Sequence, residues 1–210
     1  NTTSLLQYCD SFRNFSLNNT ISSISHFDVI CLQETKLHAG EHTALTSLLP
    51  NHTIFYDNNP NNKLKPTTSF SAGILTGFHN SILKNHTIDK IALPPDLLGH
   101  VGLFTVTDRS NPANCTIFCN LRLLTGADAL RSQESFCNSI NLVLKNLVST
   151  LSNPTIFLLG DFNFVTSAAD TMSDFSDKER PHFLSLLHDL ALTDIRQDTH
   201  TYYWHLLLAP

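Results

Sequence analysis

The sequence predicts an α/β domain built in layers, and three observations carry that expectation. Short apolar, β-prone runs alternate along the chain with segments of helical period. One of those segments carries a continuous apolar stripe, Phe136, Ile140, Val143, Leu144, Leu147 and Leu151. Hydrophobic residues make up 41% of the 210, enough for a shared core, yet no apolar run reaches the ~18 residues of a membrane span. A chain of this length is expected to form one domain over residues 1–210.

The elements follow in order. Asp28-Val29-Ile30-Cys31-Leu32-Gln33 is a continuous apolar run and predicts a buried strand. A short helix is expected around Glu41 to Leu49, stopped by Pro50. Thr53 to Tyr56 predicts a strand, ending in the turn-rich stretch Asp57 to Asn62. Ala72 to Phe78 and Val101 to Thr107 predict two more. Between them Ile88 to Leu98, broken by Pro94-Pro95, predicts irregular or edge structure. Thr116 to Leu123 is a further strand, and the striped helix follows it until Asn153-Pro154. Thr155 to Leu159 is a fully apolar strand that ends in Gly160-Asp161. A last helix, roughly Lys178 to Leu192, is expected to bury Phe183, Leu184, Leu187 and Leu190, with Pro181 in its first turn.

Composition narrows the chemistry. Charged residues are only 15%, with Lys plus Arg at 13, Asp plus Glu at 18 and a net charge of -5. A general electrostatic grip on nucleic acid is therefore not visible in the totals, and phosphates would have to be handled by a site, with a metal. The five cysteines do not form a staple pattern. Cys115 and Cys119 lie four residues apart in an extended stretch, ~13 Å, beyond the ~7 Å a disulfide allows. Cys9, Cys31 and Cys137 show no metal-ligand spacing, so buried free thiols in a reducing compartment are expected.

Two acidic residues stand where buried strands are expected to end: Glu34 after the first, Asp161 after the apolar strand that closes on Gly160. A carboxylate there is held by a rigid element and still faces solvent. Glycine before Asp161 permits a turn and close backbone approach. Asn163, two residues on, can donate to a phosphate oxygen or orient a carboxylate. Taken singly, either acid serves as well for capping the next turn.

Taken together they resemble a known set. Gln33-Glu34-Thr35-Lys36 is similar to the Q-E-T-K motif of the endonuclease/exonuclease/phosphatase family, and Gly160-Asp161-Phe162-Asn163 to its G-D-F-N. Leu192 to Arg196 resembles the L-x-D-x-W-R segment of the apurinic-type endonucleases of non-LTR retrotransposons, without the Trp. Thr201 to Trp204 is similar to the Y-T-W segment that follows it. The resemblance implies a four-layer sandwich of two mixed β-sheets flanked by helices, truncated at both ends, and divalent-metal phosphodiester hydrolysis. It implies Glu34 as the ligand of Mg²⁺, with Mn²⁺ as a substitute, since one carboxylate plus waters suits that ion. It makes Asp161 the residue that activates or aligns the attacking water, and Asn163 the one that holds the scissile phosphate and orients Asp161. Asn1, in an N-x-x-x-L context, matches the family's early Asn, although a terminal Asn in an Asn-rich chain fits as well.

The departures count too. Where the family shows Y-x-x-N, this chain has Arg122 and Thr125. Arg122 can bind phosphate as a cation but cannot do a phenol's acid-base work. The late S-R-x-D and S-D-H segments are absent, the chain begins at Asn1 rather than Met, and it stops about where the first should begin. The expectation is a fragment, weak or inactive on its own, of a retrotransposon-derived DNA endonuclease, with a reverse transcriptase as neighbour in a longer chain and no membrane partner. It would be intracellular, and nuclear on the retrotransposon reading. A catalytically dead remnant, or a family phosphatase or RNA nuclease, is the alternative. The acidic loop Asp170, Asp174 and Asp177 is expected to be solvated rather than a second metal site.

Overall fold

Strands form where the apolar runs lie. The structure, a computed structural model, describes residues 26–33, 35, 46–47, 49–57, 73–123, 129–162 and 180–193. The elements are β1 (Val29–Leu32), β2 (His52–Asp57), β3 (Ile74–His79), α1 (Ile82–Asn85), β4 (His86–Lys90), β5 (Val101–Asp108), β6 (Cys115–Arg122), α2 (Ala129–Thr150), β7 (Thr155–Asp161) and α3 (Arg180–Asp189). Of the helix expected over Glu41 to Leu49, Thr46 and Ser47 are helical and its start lies outside the described residues. The chain divides into two compact units: Asn1–Arg122 with Leu147–Asp161, and Leu123–Asn146 with Phe162–Pro210.

The first unit holds two sheets, as an α/β sandwich requires. One is antiparallel in the order β1-β3-β2, with Ile30 opposite Gly77 and Ile54 opposite the same residue from the other side. The other is mixed in the order β4-β5-β6-β7; β4, β5 and β6 are antiparallel, and β7 runs parallel to β6. A parallel neighbour needs a crossover, and the chain supplies one with α2 between the two strands. The stretch expected to be irregular or edge structure supplies β4, paired on one side only among the described residues, before the turns at Pro94-Pro95.

The sheets face each other. β3 lies against β5 and β6, β2 against β5, and β1 against β7. Between them Val29, Phe78, Phe104 and Val106 are buried, with Phe55, Ile88 and Phe118 packed on that cluster. Phe78 meets Phe104 at 5.4 Å and Phe118 at 5.7 Å in edge-to-face contacts. Truncating a ring as deeply buried as Phe78 costs about 3–5 kcal/mol. At the sheet edges Lys90 Nζ lies 2.5 Å from Asp57 Oδ1, tying β4 to β2. Burial pushes the Asp57 carboxyl above the usual carboxylate range, and the Lys90 ammonium opposes that rise.

Two expectations need correction. The apolar strand β7 is half-buried rather than buried, because among the described residues it is an outer strand with one partner. In the second unit α3 buries Phe183 and Leu186, while Leu184 is 44% exposed. A helix this rich in Leu offers more than one apolar stripe, and composition alone does not choose between them. Asp189 fixes α3 to α2 in that unit, accepting from Asn141 Nδ2 and Lys145 Nζ, each at 2.7 Å. Cys31, Cys115, Cys119 and Cys137 are free thiols, as the spacing predicts.

Candidate active site

Asp161 ends β7 as an exposed carboxylate, and its partner in the parallel ladder is Arg122, the last residue of β6. Val101 pairs with Leu121, and Arg122 N donates to His100 O at 2.9 Å, so His100 stands level with Arg122 on the other side. Residues level across neighbouring strands present their side chains to one face. His100, Arg122 and Asp161 therefore form a row across the end of this sheet.

The direction that face looks is fixed by Asn120, two residues before Arg122 and on the same side of the strand. Its Nδ2 donates to Leu75 O at 2.9 Å and to Thr76 Oγ1 at 3.1 Å, and its Oδ1 accepts from Gln33 Nε2 at 2.6 Å. The row looks toward the other sheet, at the mouth where β1 ends. A chain of backbone bonds closes that rim: Thr35 N donates to Gly73 O at 3.1 Å, and Gly73 N to Gly99 O at 2.9 Å. The Q-E-T segment and the G-D segment thus reach the same end of the sandwich.

Glycine makes the approach possible at β7. Gly160 has φ +142, a value that favours glycine, and a Cβ there would stand 1.8 Å from Leu121 O. Asp161 can be delivered beside Arg122 only because its predecessor has no side chain.

Electrostatics divide the row. Burial first, and the Arg122 charge second, hold the His100 imidazole below its ordinary value, so it is neutral at pH 7. Burial pushes the nearby thiols Cys31 and Cys119 up to about 12, with Cys31 adding to the rise at Cys119. Both stay protonated, which removes a thiolate nucleophile or a soft-metal ligand from this core.

Of the residues singled out from sequence, Arg122 and Asp161 are side by side here. Asn1, Glu34 and Asn163 lie outside the described residues, as do Thr125, Asp170, Asp174 and Asp177. His26 and His188 are exposed and His182 is half-buried. Sequence reasoning missed His100 and Asn120, the partner of Gln33. A polar residue two positions before Arg122 in an otherwise apolar strand was the available signal.

The oxygens on offer fit a hard divalent cation. Among the described residues no three His, Cys, Asp or Glu gather as a metal cage. The Thr35 hydroxyl, next in the chain to Glu34, is buried and has no hydrogen-bond partner among them. An orphaned buried oxygen whose chain neighbour is a carboxylic acid, with no thiolate at hand, suits an ion that keeps most of its water. Glu34 is the residue that would hold it. Asp161 can take or align a proton at its exposed carboxylate, and Arg122 can bind an anion in front of it.

The two facing sheets, with an acid and a cation level at one rim, define a two-sheet α/β sandwich with a polar site at one end. The chain belongs to the endonuclease/exonuclease/phosphatase family, whose profile matches residues 4–207. That family's chemistry is metal-dependent phosphoester hydrolysis. Among solved structures the chain is similar to the AP endonuclease LMAP from Leishmania major, with 21% identity and a TM-score of 0.64 over 84% of this chain and 61% of that one. It is also similar to truncated TDP2 of Caenorhabditis elegans, at 13% identity and TM-score 0.47, over 77% of this chain and 61% of that one. The human Nocturnin catalytic domain with bound sulfate gives 14% and 0.46, over 71% and 57%. The first supports the fold, and the chain spans 61% of its length. No curated protein matches the chain.

Proposed function

We propose that this chain is a Mg²⁺-dependent phosphodiesterase that cuts DNA, the endonuclease domain of a retrotransposon-derived protein. The observation that supports this reading best is the pairing of Arg122 with Asp161 at the rim reached by the Q-E-T segment. Arg122 binds the scissile phosphate as a cation, and Asp161 aligns the attacking water and takes its proton. Asn163 orients Asp161 and donates to the same phosphate. Mg²⁺, held by Glu34 and replaceable by Mn²⁺, supplies polarisation of the phosphoryl oxygen and charge relief on the leaving oxygen when bound. The setting is nuclear, with a reverse transcriptase as neighbour in a longer chain.

Titration calorimetry tests the metal assignment. Glu34→Gln removes Mg²⁺ binding and Asp174→Asn leaves it; equal loss from both moves the ion to the acidic loop. Nicking of supercoiled plasmid, lost in Asp161→Ala, tests the substrate, and turnover of a small phosphomonoester in place of DNA would make the chain a phosphatase. Arg122 in the place of the family's Tyr favours a second reading, an inactive member that still binds nucleic acid. A folded, Mg²⁺-bound chain that retains DNA and cleaves nothing would support it.

A further inference from the structure

Asn120 is an amide in a place that packing alone would give to an apolar side chain. It is wholly buried on β6, on the same face as Phe118, which packs among the core aromatics. A buried amide is costly unless its polar atoms are paired. Here both donors and the acceptor are used, and every partner belongs to the opposite sheet or to the end of its β1 strand: Leu75 O, Thr76 Oγ1 and Gln33 Nε2. The bond to Gln33, at 2.6 Å, reaches the residue directly before Glu34. Two positions on from Asn120 along its own strand stands Arg122, level with Asp161.

We propose that Asn120 is a positioning residue, which fixes the segment carrying the metal ligand Glu34 relative to the Arg122–Asp161 pair. The inference rests on the metal-phosphoesterase reading and adds a determinant of how that site is held. A fully satisfied amide accepts one arrangement of its three partners, whereas apolar contacts between the two sheets would tolerate sliding. Gln33 is half-buried, so without Asn120 its amide can turn to water, and the segment loses its tie to β6. Outer partners of metal-binding segments commonly govern affinity by about 10- to 100-fold.

Mn²⁺ binding to the 210-residue chain, followed by electron paramagnetic resonance, tests this beside urea unfolding. Asn120→Leu is expected to weaken Mn²⁺ binding at least tenfold. Gln33→Leu, at a half-buried position, should weaken it similarly while lowering the urea midpoint less than Asn120→Leu does, since only the Asn120 Oδ1 acceptor loses its partner. The double variant should bind about as the weaker single one, because the Asn120–Gln33 bond is lost in both single variants. If Asn120→Leu does not fold, Gln33→Leu alone decides. Wild-type Mn²⁺ affinity in Gln33→Leu, with binding lost in Glu34→Gln, overturns the positioning role and leaves the functional reading intact. A wild-type chain that binds no Mn²⁺ overturns both.

Discussion

Replacing Gly160 by alanine should break the delivery of Asp161. The added methyl would stand 1.8 Å from Leu121 O and 2.8 Å from Leu121 C, both backbone atoms of the neighbouring strand. Carbon and oxygen in ordinary contact stay about 3.3 Å apart, so about 1.5 Å must be found by parting β6 from β7 or re-turning the backbone. Holding a residue with a side chain near φ +142 adds about 1–3 kcal/mol of strain, and losing one ladder bond adds about 1 kcal/mol. Alanine would return about 0.4–1 kcal/mol by stiffening the unfolded chain. The expected net loss is about 1–3.5 kcal/mol, read as a lower urea midpoint at unchanged slope. A displacement above 1 Å at a reacting group costs on the order of 10² in rate, so the folded variant should cleave at least that much more slowly. A variant as stable as wild type, or more stable, with unchanged cleavage would refute the reasoning.

Three further outcomes follow from the same geometry. Arg122→Ala should weaken DNA binding across sequences and lower the salt dependence by about one phosphate contact, whereas Arg122→Lys keeps the slope; a titration against salt concentration reads both. Lys90→Met leaves Asp57 with a buried carboxylate and no cation, an expected loss of about 1–3 kcal/mol at pH 7 after allowing for the half-exposed lysine. Because burial raises Asp57 in the fold, that loss should shrink as pH falls through its raised value, and a urea midpoint that ignores pH would argue against the clasp. His100 is lowered in the fold, so its contribution is present above the ordinary imidazole value and is lost as pH falls through the folded one; His100→Gln should flatten that slope in unfolding measured between pH 7 and 5.

Much of the fold was legible because burial imposes a period. β1, β5, β6 and β7 coincide with apolar runs, and α2 with its stripe. β4 was harder: His86–Lys90 is polar because an edge strand with one partner keeps Asp89 and Lys90 in water. α1, four residues long, is too short to show a period. At the site, the acid at a strand end and the glycine before it were visible in sequence. Asn120 and His100 were not, since their meaning lies in partners 87 residues away for Asn120 and one strand across for His100. A lone polar residue inside an apolar strand marks that a partner exists without naming it.

Charge then decides how such a mouth can hold a phosphate. The chain is net -5, so its field at a distance does not draw anions. Within the row Arg122 and Asp161 stand one strand apart with opposite charges, and His100 is neutral. Among the described residues of this rim the cation is thus offset by the acid beside it, and an arriving phosphate meets little net attraction. A divalent ion at the neighbouring segment would reverse that balance, because two positive charges exceed what Glu34 neutralises. Metal and phosphate should therefore bind cooperatively: inorganic phosphate should bind poorly in chelator and at least fivefold more tightly with Mg²⁺ present, with Mg²⁺ affinity rising by the same factor in phosphate. Calorimetric titration of each in the presence of the other reads the coupling. Phosphate affinity indifferent to Mg²⁺ would mean that Arg122 alone holds the anion and that the ion acts elsewhere.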